Sequence, residues 1–191
     1  IALAAYKKGV DCFHRHVALT DVKIEIVEIP TAAGPLPGYF VHAQNVKGSR
    51  APCVVFFDGL DVTKEIQFVR GVPDLVKRGI SCLVMDGPGT GEAIRFRNYV
   101  LRHDYEAAGS ACVDWLEKRA DVNPKRIGIV AISRGGYYAP RCAAIRCAAT
   151  EPCMRACGSS RPVISPMLRL RERPASTGTP RSAKRSSCAS S

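Results

Sequence analysis

One serine in this sequence has neighbours that suit a nucleophile. Ser133 lies in Ala131-Ile132-Ser133-Arg134-Gly135-Gly136, between the apolar run Arg126 to Ile132 and a stretch of helical composition from Tyr137 to about Ala149. A serine at such a strand-to-helix junction is held on a tight, strained turn, with its hydroxyl projecting beyond the strand ends. Small residues are needed two before and two after it, because helix and strand pass close. Ala131 and Gly135 hold those places. The helix that follows points its positive N-terminal end at the serine, which favours a developing anion. The chemistry expected is acyl transfer through serine. Ser-x-Gly-Gly alone also suits an inert loop; the strand–serine–helix setting favours the nucleophile.

The elements that position this turn read as an alternating series. Val22 to Ile29 alternates apolar and charged residues, Thr31 to Pro37 is a turn cluster, and Gly38 to His42 is a second strand, so the two predict an antiparallel hairpin. Ala51 to Phe57 and Ile80 to Met85 are continuously apolar, like Arg126 to Ile132. Such runs mark strands buried on both faces of a parallel sheet. Between them, Phe68 to Arg78 and His103 to Ala120 read as helices. The first has Val69, Val72, Leu75 and Val76 on its apolar side, the second Ala107, Ala111, Trp115 and Leu116. Ala2 to Phe13 reads as the end of a further helix. A hairpin followed by three strand–helix units predicts an α/β domain with helices on both faces of the sheet.

Other chemistries fit less well. Asp86-Gly87-Pro88-Gly89-Thr90-Gly91 looks like a phosphate-cradling loop, but Glu92 and Ala93 stand where a Lys and a Ser or Thr are required, and a carboxylate there repels phosphate. The formal net charge is +11. From Arg141 onward there are 10 Lys/Arg and 2 Asp/Glu, against 18 and 15 before it. The basicity therefore belongs to the tail, and no motif supports specific nucleic-acid binding. Cys153 and Cys157 have the spacing of half a metal site, but no second pair and no histidine accompany them. Neither a metal nor an organic cofactor is expected. No apolar run reaches membrane-spanning length, and nine cysteines without a secretory leader fit a cytoplasmic protein better than a disulfide framework.

Four segments together carry a family resemblance. Phe57-Asp-Gly-Leu-Asp-Val-Thr-Lys-Glu65, Met85-Asp-Gly-Pro-Gly-Thr-Gly-Glu92, Asp121-Val-Asn-Pro-Lys-Arg-Ile-Gly-Ile129 and Ser133-Arg-Gly-Gly-Tyr-Tyr-Ala-Pro-Arg141 resemble the α/β-hydrolases of the FrsA-like esterase group. That group includes the 2,6-dihydroxypseudooxynicotine hydrolase type, which cleaves a carbon–carbon bond. The resemblance covers roughly residues 20 to 141. It implies an α/β-hydrolase fold that stops after the helix following Ser133. It also implies that Ser133 is the nucleophile and the backbone N–H of Arg134 one oxyanion donor. A second donor is implied in the loop after the third strand, at Gly59 or Leu60. Ala131 replaces the family's usual glycine. Lys64 and Glu65 match polar family positions, though a solvated charge pair at a helix start explains them equally well.

The fold also requires an acid and a histidine, both after the serine. His14, His16, His42 and His103 all precede Ser133, and beyond it there are only Glu151 and Glu172. His103 is expected to start a helix at the correct edge of the sheet, exposed; His42 is expected far away. Composition changes between about Arg141 and Gly158 to Arg, Ser, Pro and Cys, which cannot bury enough apolar surface to offset chain ordering. The expectation is the end of a helical region over 1–20, a partial hydrolase domain over 21–150, and a disordered tail over 151–191 produced by a shifted reading frame. A chain starting at Ile1 is read as a fragment or processed product. The function expected is a serine hydrolase of esters or activated carbonyls acting on a small molecule, weak or inactive as this chain. The alternative is a catalytically dead binding module. Oligomeric state is not legible.

Overall fold

The computed structural model describes residues 2–57 and 59–149; the segment 151–191, with its expected disorder and Cys153–Cys157 pair, lies outside the described residues. In chain order the elements are α1 (Ala2–Leu19), β1 (Ile24–Ile29), β2 (Leu36–Val41), β3 (Ala51–Phe57), α2 (Lys64–Val69), α3 (Val72–Lys77), β4 (Ser81–Met85), α4 (Gly91–Arg97), α5 (Tyr105–Glu117), β5 (Val122–Ala131) and α6 (Gly135–Ala149).

Five strands form one sheet in the order β1-β2-β4-β3-β5. β1 and β2 are the antiparallel hairpin, β2 pairs antiparallel with β4, and β4, β3 and β5 run parallel. β3 and β4 are buried almost throughout, as their uninterrupted apolar sequences require. On one face α5 and α6 cover Cys53, Val55, Phe57, Leu83 and Met85; on the other, Phe68, Val72 and Val76 of α2 and α3 cover Val41, Cys82 and Val84. α1 lies on this second face, where Phe13 stacks on Tyr39 at 4.6 Å and meets Phe68 edge-on at 5.1 Å.

Several expectations are corrected. The helix expected over Phe68–Arg78 is two short helices. Gly71 between them has φ +118 and Pro73 stands in the first turn of α3, a combination that restarts a helix rather than continuing one. Val69, assigned to the apolar side, is 69% exposed. The helix expected from His103 begins at Tyr105, and its buried stripe is Tyr105, Ala108, Gly109, Cys112, Val113 and Leu116 rather than one through Ala107. α4 was not anticipated. β5 is not buried on both faces: it is an outer strand among the described residues, as β1 is on the other side, and Val130 and Ile132 are half-exposed. Pro124 within β5 is tolerated because that strand has a free edge.

Candidate active site

Strand register brings two loops together at the C-terminal edge of the parallel strands. Phe57 at the end of β3 pairs with Ala131 at the end of β5, so Gly59 and Ser133 each lie two residues past a paired position. A methyl group on Gly59 would stand 2.9 Å from Ser133 Cβ and 3.1 Å from its Oγ. A side chain there would push the serine aside. Gly59 is buried, whereas Ser133 is exposed.

Ser133 has φ +58, a left-handed conformation that costs a residue with a Cβ on the order of 1–3 kcal/mol and needs support from its surroundings. The support is local and tertiary. The N–H groups of Gly135, Gly136 and Tyr137 donate to the carbonyls of Ile132, Ser133 and Arg134 at 2.9–3.0 Å, closing the turn into α6. Below the turn, Tyr138 of α6 stacks on Tyr105 of α5 at 4.0 Å and Phe57 meets Tyr105 edge-on at 5.5 Å. Gly109 lets α5 approach: a methyl there would lie 2.4 Å from Cys142 Sγ and 3.0 Å from Phe57 Cζ. The result is an exposed serine on a strained turn beside a buried glycine, at the start of a 15-residue helix. Such a turn can present an alkoxide and receive negative charge. Leu60, the other residue singled out in the β3 loop, is 51% exposed.

The second feature of this edge is a buried ionic hub. Lys64 and Glu65 are not a solvated pair. Lys64 is 1% exposed, and its Nζ lies 2.8 Å from Glu65, 3.1 Å from Asp86 and 2.8 Å from Glu92. Asp86 is fully buried and accepts the backbone N–H groups of Lys64 and Glu92, both at 2.8 Å, and the Tyr6 hydroxyl at 3.3 Å. Tyr39 donates its hydroxyl to Glu65 at 2.8 Å, and its ring lies 5.0 Å from Lys64 Nζ. Burial disfavours a charged Lys64, but the charges of Asp86 and Glu65 outweigh it and push its pKa above the ordinary lysine value. Burial likewise pushes the carboxyls of Glu65 and Glu92 up, and the Lys64 ammonium overrides it, leaving both below the usual range. The pattern that could have signalled the hub is an aspartate directly after a wholly buried strand, followed by glycines that leave its carboxylate room.

None of the four histidines partners Ser133. His42 is at the opposite end of the sheet, 2.5 Å from Glu25 and 3.3 Å from Asp121, beside Arg119. His14 and His16 are on α1 and pack near Tyr39 and Phe68. His103 is exposed in the loop before α5. With Leu101, Arg102, Tyr137, Tyr138 and Arg141 it lines a hollow of about 290 Å³. A larger hollow of about 510 Å³ is lined by Pro30–Ala33, Pro88, Arg102, Asp104 and Ala107, Ala108 and Ala111 of α5. The β1–β2 turn reaches it because β2 runs antiparallel to β4 and begins where β4 ends. Among the described residues no group of three His, Cys, Asp or Glu side chains is placed to hold a metal ion, and no helix is long and apolar enough to cross a membrane.

No protein-family model matches the sequence. Curated relatives do. The α/β-hydrolase xenA of Xenoacremonium sinensis is 33% identical over 170 aligned positions, covering 83% of this chain and 38% of the relative. The 2,6-dihydropseudooxynicotine hydrolase of Paenarthrobacter nicotinovorans is 33% identical over 151 positions, covering 78% of this chain and 38% of the relative. Among solved structures, 2,6-dihydroxy-pseudo-oxynicotine hydrolase superposes with a TM-score of 0.66 at 30% identity, covering 73% of this chain and 38% of that one. The chain thus spans somewhat over a third of the length of the relatives it matches. With the strand order, the helix placement and these similarities in agreement, the chain has part of the α/β-hydrolase fold and is similar in sequence to enzymes named as hydrolases.

Proposed function

We propose that this chain carries the nucleophile and oxyanion-binding part of a serine hydrolase acting on a small-molecule ester or activated carbonyl, including a carbon–carbon bond beside a carbonyl. The observation that carries the reading is the exposed Ser133 on a turn with φ +58, packed so closely against Gly59 that a methyl group there would displace it. Ser133 Oγ attacks the carbonyl carbon and gives its proton to solvent water, which in turn protonates the departing group. The carbonyl π-electron pair moves to oxygen, and the N–H groups of Arg134 and of Gly59 or Leu60 receive that charge. Collapse of the tetrahedral species expels the leaving group and leaves an acyl-serine, which water hydrolyses. Backbone donors suit the task because they are fixed before charge develops. No cofactor takes part in this scheme.

Proton transfer limits it. A serine of this kind relies on a histidine base, and none of the four in this sequence contacts Ser133. The reading therefore includes slow turnover for this chain. The same observation favours a second reading, a catalytically silent module that binds a small molecule at this edge. A p-nitrophenyl ester separates the two. The first reading gives a burst approaching one equivalent of nitrophenolate, followed by slow release, and Ser133→Ala abolishes the burst. Absence of a burst in the unsubstituted chain favours the silent module.

A further inference from the structure

The ionic hub sits where the two loops of the candidate site are anchored. Gly59 is pinned against Ser133, and five residues later Lys64 begins α2 with its backbone N–H on Asp86 Oδ1 at 2.8 Å. Thr63, the residue before that helix, makes no side-chain capping bond, so Asp86 does from another strand what a local cap would do. Asp86 Oδ2 accepts Lys64 Nζ at 3.1 Å and the N–H of Glu92 at 2.8 Å. One carboxylate thus fastens the starts of both α2 and α4 to the end of β4. The space for it is specific. Gly91 has φ +44, and a methyl there would fall 2.1–2.2 Å from the Asp86 carboxyl atoms. Glu92 and Glu65 close around the Lys64 ammonium, and Arg97 holds Glu92 at 3.0 Å. Residues 60–63 are a short span tied at both ends.

We propose that Asp86 and Lys64 are positioning residues that fix the Gly59–Thr63 loop over Ser133, so that the backbone donor at Gly59 or Leu60 stands ready when charge forms. The inference rests on the reading of Ser133 and that loop given above. It differs from a purely stabilising role in what it affects. Misplacing one oxyanion donor slows the chemical step without weakening reagent binding, whereas lost stability alone lowers the folded fraction.

The test is the labelling of Ser133 by an alkyl fluorophosphonate, with the maximal inactivation rate and the half-saturating reagent concentration measured separately. Asp86→Asn keeps the shape of the side chain and removes its charge. Lys64→Met removes the ammonium, and Lys64→Arg restores a cation. Asp86→Asn and Lys64→Met are expected to lower the maximal rate by about tenfold or more, the scale of a small misplacement at a reacting centre, with half-saturation unchanged. Lys64→Arg is expected to recover most of the rate. Leu116→Ala, in the core of the opposite face at the end of α5 remote from Ser133, is expected to lower thermal stability and leave the rate alone. Where the first two variants do not fold, Glu92→Gln, partly exposed and of the same shape, carries the test with a smaller slowing. An unchanged maximal rate in the folded variants overturns the positioning role while leaving the reading of Ser133 intact. Absence of any labelling that Ser133→Ala abolishes overturns both.

Discussion

Gly59 and Ser133 stand two residues beyond the Phe57–Ala131 pair, and a methyl group on the glycine would lie 2.9 Å from the serine Cβ. The register of two parallel strands therefore sets the geometry of the candidate site, and the absence of one side chain permits it. Gly59→Ala forces either the serine turn or the β3 loop aside. The expected outcome is a loss of Ser133 labelling of about a hundredfold. The fall in stability should be small, because the exposed turn can shift at little cost to the core. Labelling rate together with a urea unfolding curve checks both halves; unchanged labelling contradicts the close approach.

Acid should weaken the fold through its paired carboxylates. Burial alone raises Glu65, Glu92 and Glu25, but Lys64, Arg97, Arg119 and His42 override it and leave them below their ordinary value of 4.5; Arg119 also lowers Asp121 from 3.8. A carboxyl depressed in the folded state contributes stability that is present above its unfolded pKa and lost as pH falls through the folded one. Asp86, raised by complete burial, acts in the opposite sense and offsets part of the loss. Four groups outweigh one, so the urea midpoint should hold near neutrality and fall from about pH 4.5 downward. A midpoint that rises on acidification would show that Asp86 dominates.

The outer edge of β5 has no partner strand among the described residues, and Val130 on it is 41% exposed. Open edges with apolar side chains recruit other chains. Sedimentation velocity should show concentration-dependent association of this chain, reduced by Val130→Lys, which places a charge on the edge without touching the serine turn. A monodisperse monomer at high concentration contradicts this.

Burial also sorts the cysteines. Cys53, Cys82, Cys112 and Cys142 are buried free thiols, and Cys12 is an exposed one. Burial pushes the Cys82 thiol up to about 12 and Cys142 up to about 11. Thiolate is the reactive form. Of these five, only Cys12 should be alkylated by iodoacetamide at pH 8 in the native state, as peptide mapping would read. Rapid modification of Cys142 would mean that α6 opens readily.

Much of the fold was legible because strands buried on two faces are apolar throughout, although the apolar run Arg126–Ile132 shows that the converse does not hold. Ala51–Phe57 and Ile80–Met85 had to be inner parallel strands, and the hairpin followed from alternation and a turn cluster. Helix boundaries were less legible where tertiary context decides them. Gly71 and Pro73 split one expected helix, and a carboxylate from a different strand starts α2 and α4. Of the two readings that Lys64 allows in sequence, the solvated one fails for the same reason. A lysine beside a glutamate looks solvated in sequence, and only the fold adds Asp86 and Glu92 to its surroundings. The serine turn was readable because its requirements are local, namely an apolar strand, small neighbours and a helix. The closeness of Gly59 was not, because it depends on the register between strands some seventy residues apart.

The site at which an organophosphorus reagent attaches tests the role of Ser133 most directly. After exposure of the intact chain to an alkyl fluorophosphonate, tryptic peptides analysed by mass spectrometry should carry the phosphonyl group on Ser133, and Ser133→Ala should remove it. An adduct at another residue, or none while the chain retains its cooperative fold, would contradict the claim that this turn presents Ser133 as a nucleophile.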